Sequence, residues 1–403
     1  MVTLPLRRHH RPLFLAGAVA VLLVPIVHAY LLMPFPGSQD LETIKLAYYL
    51  EKALPPLLVL GVLLVALPIA QTILHGTLVR RLLLGLFAVA VAGVTYATAF
   101  EYRAEKMFRE PITLVFADKG RSGIPLDAVV LGVAQGTEAH AYPVDLLGYH
   151  HKVLDTVGGR PVLVTYCTMC RTGRVYSPVI DGVPQRFRLV GARHYNAVLE
   201  DEQTGTWWYQ GSGRAAVGPR AGRHLDPVEY EQTTLRSWTA AHPETTVLQP
   251  DPAFAAEYAE LSGYDRRRPP SPGGADPRWS RRSWVVGVVV GETAKAYPWD
   301  DLVSRRALDD TIGEAPIVVT VEEDGMSFHA FRRDLGGETL TFSPEADGKA
   351  MIDAATGSRW SLRGECLSGP HAGHKLTVVQ AHQEYWHSWK NFHPTTATWT
   401  ASL

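Results

Sequence analysis

Three apolar runs open the chain, residues 13–35, 54–74 and 82–100, and none contains Asp, Glu, Lys or Arg. Each is close to the roughly 20 residues that a helix needs to cross about 30 Å of hydrocarbon. After Phe100 the pattern changes to short runs of alternating apolar and polar residues bounded by Gly and Pro, which predict strands. The expected fold class is α+β: an N-terminal three-helix transmembrane anchor followed by a β-rich region.

That β-rich region reads as one module written twice. VVLGVAQGTEAHAYPVDLL at 129–147 is answered by VVGVVVGETAKAYPWDDL at 285–302, so that Tyr142-Pro143 falls on Tyr297-Pro298, 155 residues on. At the same spacing Gly132, Asp145, Asp155, Gly158 and Thr165 fall on Gly287, Asp300, Asp310, Gly313 and Thr320. Trp208, Trp238 and His242-Pro243 later find counterparts in Trp360, Trp389 and His393-Pro394. A tandem duplication packed about a pseudo-twofold axis is expected, each half shielding the other's apolar sheet face. The expected domains are residues 1–106 as anchor, 107–249 as the first module, 250–282 as a Pro-, Gly- and Arg-rich exposed linker, and 283–403 as the second module.

Charge then orients the chain. Arg7, Arg8 and Arg11 precede the first run and Arg80-Arg81 separate the second from the third, so these flanks are expected in the cytoplasm. Three crossings carry everything after Phe100 to the extracytoplasmic side of the cytoplasmic membrane. The alternative is that the first run is a cleaved signal peptide ending near Val27-His28-Ala29. His28 is the readily titratable side chain within an apolar run, either functional or seated at the interface. Over 403 residues the net charge is −1, with 46% hydrophobic and 20% charged residues, which gives no nucleic-acid signal. No Ser-His-Asp order, phosphate loop or paired-carboxylate motif supports a hydrolase or kinase, and whether the protein is an enzyme stays open.

Two of the three cysteines, Cys167 and Cys170, lie in PVLVTYCTMCRTGRVYSPVIDG at 161–182, between two strand-like runs. Closely spaced thiolates at such a turn supply adjacent corners of a zinc or copper site, and His150, just upstream, is the expected further ligand. His151, His194 and Cys366 are weaker alternatives, and Met169 offers a thioether. A thioredoxin-like pair would need a helix after the first cysteine, whereas Arg171-Thr172-Gly173 leads into a strand. The second copy is an internal control: Cys167, Cys170 and His150 fall on Glu322, Gly325 and Arg305, so the framework is expected to form without thiols. Tyr142, Asn196, Trp207, Trp208 and Gln210 are the ligand-binding candidates, because aromatic residues on both faces of a strand at 207–210 would let one face line a pocket.

AYPVDLLGYHHKVLDTVGGRPVLVTYCTMCRTGRVY, YNAVLEDEQTGTWWYQGSGRAAVG and the closing YWHSWKNFHPTT resemble domain-of-unknown-function family 3179, a group of uncharacterised extracytoplasmic proteins. The resemblance covers essentially everything after residue 110. Its most specific motif is TYC-x-x-C, in which this chain has Thr168 where the family usually has proline. By that similarity Tyr142, Pro143, His150, Asp155, Cys167, Cys170, Asn196 and Trp208 are family-pattern positions, and the family brings no established activity. The expected function is metal binding or metal-linked redox at a Cys-x-x-Cys/His site. The alternative is a non-catalytic module that binds a small molecule or a protein, with a structural Cys167–Cys170 disulfide.

Overall fold

The computed structural model describes residues 10–268 and 276–400. Three helical spans, Arg11–Leu32, Ile44–His75 and Leu78–Glu101, are long and apolar enough to cross a membrane. The second begins at Ile44, well before the apolar run, because polar residues of its first turns find partners in the protein. Arg7 and Arg8, on which the expected orientation partly rests, lie outside the described residues.

The chain divides into two compact units. One comprises the chain up to Arg109, with Phe187–Tyr209 and Arg214–Arg223. Its four-stranded sheet runs Ala215–Val217, Trp207–Tyr209, Asn196–Asp201, Phe187–Arg193. Arg188 joins that sheet to the helices, bonding Glu200 Oε1 at 2.8 Å and pairing with Glu51 and Glu105. Lys52 reaches the other oxygen of Glu200 at 3.1 Å. His28 lies 3.3 Å from Glu51, which gives this histidine a structural partner.

The other unit comprises Glu110–Arg186, Gln210–Gly213 and His224–Leu403. A five-stranded sheet runs Phe116–Asp118, Thr246–Leu248, Glu138–Pro143, Val129–Gln135, Glu231–Thr234. A four-stranded sheet has the matching order in reverse: Ala381–Tyr385, Trp284–Val290, Thr293–Pro298, Ala397–Thr398. Each hairpin is followed by a seven-residue helix, Val144–His150 or Trp299–Arg305, and then by a three-stranded sheet. The same order of elements therefore occurs on both sides of residues 250–282. Gln232 and Gln383, on the two edge strands, bond each other at 3.0 Å.

The segment at 250–268 is packed. Phe254 is buried, the Asp265 carboxylate accepts from Val129 N at 2.8 Å, and the short helix Ala255–Leu261 brings Tyr258 to His150. Its apolar and aromatic residues find a surface that Pro and Gly content does not reveal. Residues 269–275, the rest of the expected linker, lie outside the described residues.

One contact fixes each sheet to its C-terminal helix. The Trp238 and Trp389 rings, each with its indole N–H on a threonine at 2.9 and 2.8 Å, lie flat where Gly132 and Gly287 leave room. A Cβ at Gly132 would stand 2.4 Å from the Trp238 ring, and one at Gly287 would stand 2.1 Å from Trp389. Gly132→Ala and Gly287→Ala are therefore each expected to destabilise the protein by about 1–3 kcal/mol in thermal or urea unfolding, the usual cost of overpacking. Gly120→Ala, with nothing within 4 Å, should leave the midpoint unchanged.

Candidate functional site

Strands Arg160–Cys167 and Thr172–Tyr176 pair antiparallel with Cys167 opposite Thr172, so the four residues between them form the closing turn. Arg171 takes the left-handed backbone conformation there, with φ 55°, and turns the chain into the second strand. The turn is thus a strand-to-strand knuckle, as the sequence implies. Cys167 and Cys170 are fully buried thiols, not joined as a disulfide. Cys170 Sγ donates to the Cys167 carbonyl oxygen at 3.8 Å. Burial pushes the Cys170 thiol well above its ordinary value; Cys167 and the Glu384 charge add to the shift, and the Thr172 hydroxyl opposes it.

The far half of the chain completes this environment. Tyr385 N donates to the Cys170 carbonyl at 2.9 Å. Thr172 Oγ1 lies 3.3 Å from each of the Cys170 carbonyl, Glu384 Oε2 and Ser388 Oγ. Glu384 Oε1 receives Arg174 at 2.5 Å, and that guanidinium also donates to the carbonyls of Gly211 and Gly173. Burial opposes the Arg174 charge, but Glu384 outweighs it and holds the group above its ordinary value. Arg171 stacks over the Trp284 ring, 3.6 Å from its centre, while donating to the carbonyls of Tyr264 and Asp265. Tyr230 donates to the Gly173 carbonyl at 2.5 Å and stands 2.9 Å from His382 Nδ1. Burial, then the Arg174 charge, pulls His382 well below its ordinary value, so it is neutral at pH 7.

Of the ligand-binding candidates, Gln210 belongs to this environment, donating to Thr165 Oγ1 and the Thr172 carbonyl at 2.9 Å each. The others go elsewhere. Tyr142 donates to Asp155 at 2.6 Å beside His140, an arrangement repeated as Tyr297, Asp310 and Lys295. Trp207 and Trp208 belong to the helical unit, where both are buried with indole N–H groups on Glu200 and Asp201, and Trp207 packs edge-on against Tyr48. Asn196, also in that unit, is buried at the start of its strand. An open cleft of about 670 Å³, lined by Gln135, Gly158, Arg160, Ser177 and Glu229, contains none of these candidates.

The expected metal donors do not converge. His150 Nε2 is 2.6 Å from Tyr258 Oη, with the ring against Phe254. Among the described residues no group of three or more His, Cys, Asp or Glu could hold a metal ion, so a closed zinc site does not fit this donor set. His151, buried and pulled down to about 4 by that burial, bonds the Tyr149 carbonyl at 3.3 Å. His194 lies in the helical unit 3.0 Å from Glu42, and Cys366 donates to the Ser368 carbonyl at 3.4 Å.

A family model described as protein of unknown function (DUF3179) matches residues 114–396. The chain belongs to the DUF3179 family. No curated protein and no solved structure matches it.

Within this DUF3179 chain, the positions 155 residues after Cys167 and Arg174 are Glu322 and His329. Glu322 Oε1 accepts from Ser237 Oγ at 2.6 Å and Arg363 at 3.0 Å, and lies 2.7 Å from His329 Nε2. Burial works to raise the Glu322 carboxyl, but His329, Ser237 and Arg363 outweigh it and hold the group at about 2. Sequence spacing identified position 322, whereas Glu384, Ser388, His382 and Tyr230 went unnoticed. The signal available for them was the second spacing of 151 residues, which sets Glu384 against Thr233.

Because the folded Glu322 value is depressed, its contribution is complete above its unfolded value near 4.5 and is lost as pH falls toward about 2. The unfolding free energy measured from pH 6 to pH 2 should fall across that window in the wild type, by on the order of 3 kcal/mol. Glu322→Gln should start less stable and lose less.

Proposed function

We propose that this protein is a membrane-anchored, extracytoplasmic member of DUF3179 whose Cys167 and Cys170 form a reversible dithiol–disulfide couple. The observation that carries the reading is the placement of two buried, unbridged thiols in one four-residue strand-closing turn, with no third ligating side chain gathered round them among the described residues. On oxidation the thiols lose two protons and two electrons and the sulfurs join. A disulfide-bearing partner takes both and becomes two thiols. Burial shields both thiols and disfavours the Cys170 thiolate, so the couple exchanges slowly with bulk reagents.

The anchor is the three apolar helices, oriented with the arginines of 7–11 and 80–81 in the cytoplasm. Residues 107–249 and 283–403 are two modules of one tandem duplication. The common order of elements, the Gln232–Gln383 bond and the Trp238 and Trp389 contacts support this. A reporter domain fused after residue 403 should be active only on the outer side; activity in the cytoplasm would reverse the topology.

The couple is tested on the whole protein in detergent, equilibrated with graded ratios of reduced to oxidised dithiothreitol, alkylated under denaturing conditions and weighed. One two-electron transition should appear, abolished by Cys167→Ser or Cys170→Ser. Failure to form the bridge at any ratio would overturn the reading. So would one equivalent of zinc or copper retained through the series with both thiols reduced, the outcome that returns the pair to metal binding, since soft thiolates favour Cu(I) and zinc.

A further inference from the structure

We infer that residues 255–266 form a releasable strap over the cysteine turn, whose opening admits a thiol-reactive partner to Cys167 and Cys170; the inference rests on the dithiol reading above and names how that site is regulated. Both thiols are fully buried, so nothing reaches them until a covering element moves aside. The turn is covered from two directions. On one side the strand Ala381–Tyr385 places Tyr385 N on the Cys170 carbonyl, and all five of its residues are paired with Trp284–Val290, so clearing it means breaking a sheet. On the other lies the strap, made of the helix Ala255–Leu261 and the single turn Tyr264–Arg266.

The strap's contacts bracket the thiols. Tyr264 Oη donates to the Thr168 carbonyl at 2.7 Å, and Arg171 donates to the carbonyls of Tyr264, at 3.1 Å, and Asp265. Thr168 and Arg171 directly follow Cys167 and Cys170 in the chain. Tyr166, which precedes Cys167, meets the Tyr264 ring edge-on with centres 6.3 Å apart. Gly148 leaves the space for this approach: a Cβ there would stand 3.1 Å from Thr168 Cγ2 and 3.5 Å from Leu261 Cδ1. The strap is fastened by the Asp145 carboxylate, which accepts from Gly263 N at 2.8 Å and Asp265 N at 3.0 Å.

What makes the strap releasable is how little of it is buried. No residue of the helix Ala255–Leu261 is buried, and in Tyr264–Arg266 only Asp265 is. The strands beneath, Arg160–Cys167 and Thr172–Tyr176, are buried along most or all of their length. A segment held by a few hydrogen bonds with little apolar burial opens at a fraction of the global unfolding free energy. Gly263, between the helix and the turn, has φ 71°, a conformation glycine adopts without strain, and supplies a pivot.

The test is native-state alkylation of the whole reduced protein in detergent, with iodoacetamide as the probe and the mass added at Cys167 and Cys170 as the readout. Cys366, buried in the strand Cys366–Ser368, is the internal reference. In the wild type the labelling rate of the pair should change little with urea below the unfolding transition, because a local opening exposes little surface. Tyr264→Phe, which removes one hydroxyl and keeps the ring, should label the pair about 10-fold faster, the scale of one ordinary hydrogen bond, and leave Cys366 unchanged. Asp145→Ala, which frees two backbone N–H groups of the strap, should label the pair faster still. Wild-type labelling that carries the full urea dependence of unfolding overturns the strap, as does a Tyr264→Phe rate equal to wild type or an increase that Cys366 shares. The measurement starts from reduced thiols, so a chain that opens as described and never forms the disulfide keeps the strap and loses only the dithiol reading.

Discussion

The buried ion pair between Arg174 and Glu384 is the interaction on which the cysteine knuckle depends. Both side chains are almost completely withdrawn from water, so they depend on each other, and the guanidinium donates also to the carbonyls of Gly211 and Gly173. Such a pair adds little net stability over a well-packed apolar contact, but losing one partner costs about 3–5 kcal/mol. Its effect is therefore on register. The second half must dock so that Glu384 meets Arg174, and the same docking sets Tyr385 N on the Cys170 carbonyl and Ser388 beside Thr172.

The two seams between the halves solve one problem differently. Where the first half carries thiols, the Glu384 charge is closed into a pair with Arg174, and burial gives Cys170 a medium that disfavours thiolate. Where the second half carries Glu322, a histidine, an arginine and a serine gather on the carboxylate and hold it ionised. Burial alone acts to neutralise both groups. The difference comes from the count of donors and positive charges supplied across each seam.

In the helical unit a related constraint acts at the start of the second span. Glu51 and Lys52 lie on a helix otherwise suited to hydrocarbon, where unpaired charges are costly. Arg188 and Glu200 from the sheet receive them, and Trp207 adds an indole N–H to the Glu200 carboxylate. This explains why Trp207 is packed and not pocket-lining: its polar edge is committed to the network and its face to Tyr48. It also gives His28 a partner inside the unit.

Periodicity, length and spacing in the sequence determined the three apolar helices, the α+β class, the strand-turn-strand around Cys167 and Cys170 and the correspondence of position 167 with 322. These are local or repetitive properties, set by which residues alternate and where Gly and Pro interrupt. Tertiary structure alone decided what surrounds the thiols. His150 lies close to the knuckle in sequence, yet its ring is taken by Tyr258 and Phe254 from a stretch whose composition reads as linker. Glu384 lies 210 residues from Arg174 and belongs to no motif, yet it supplies the carboxylate. A side chain's partner depends on how separate sheets dock, and docking is governed by shape and charge complementarity across the whole surface. Nothing in a local window of residues records that.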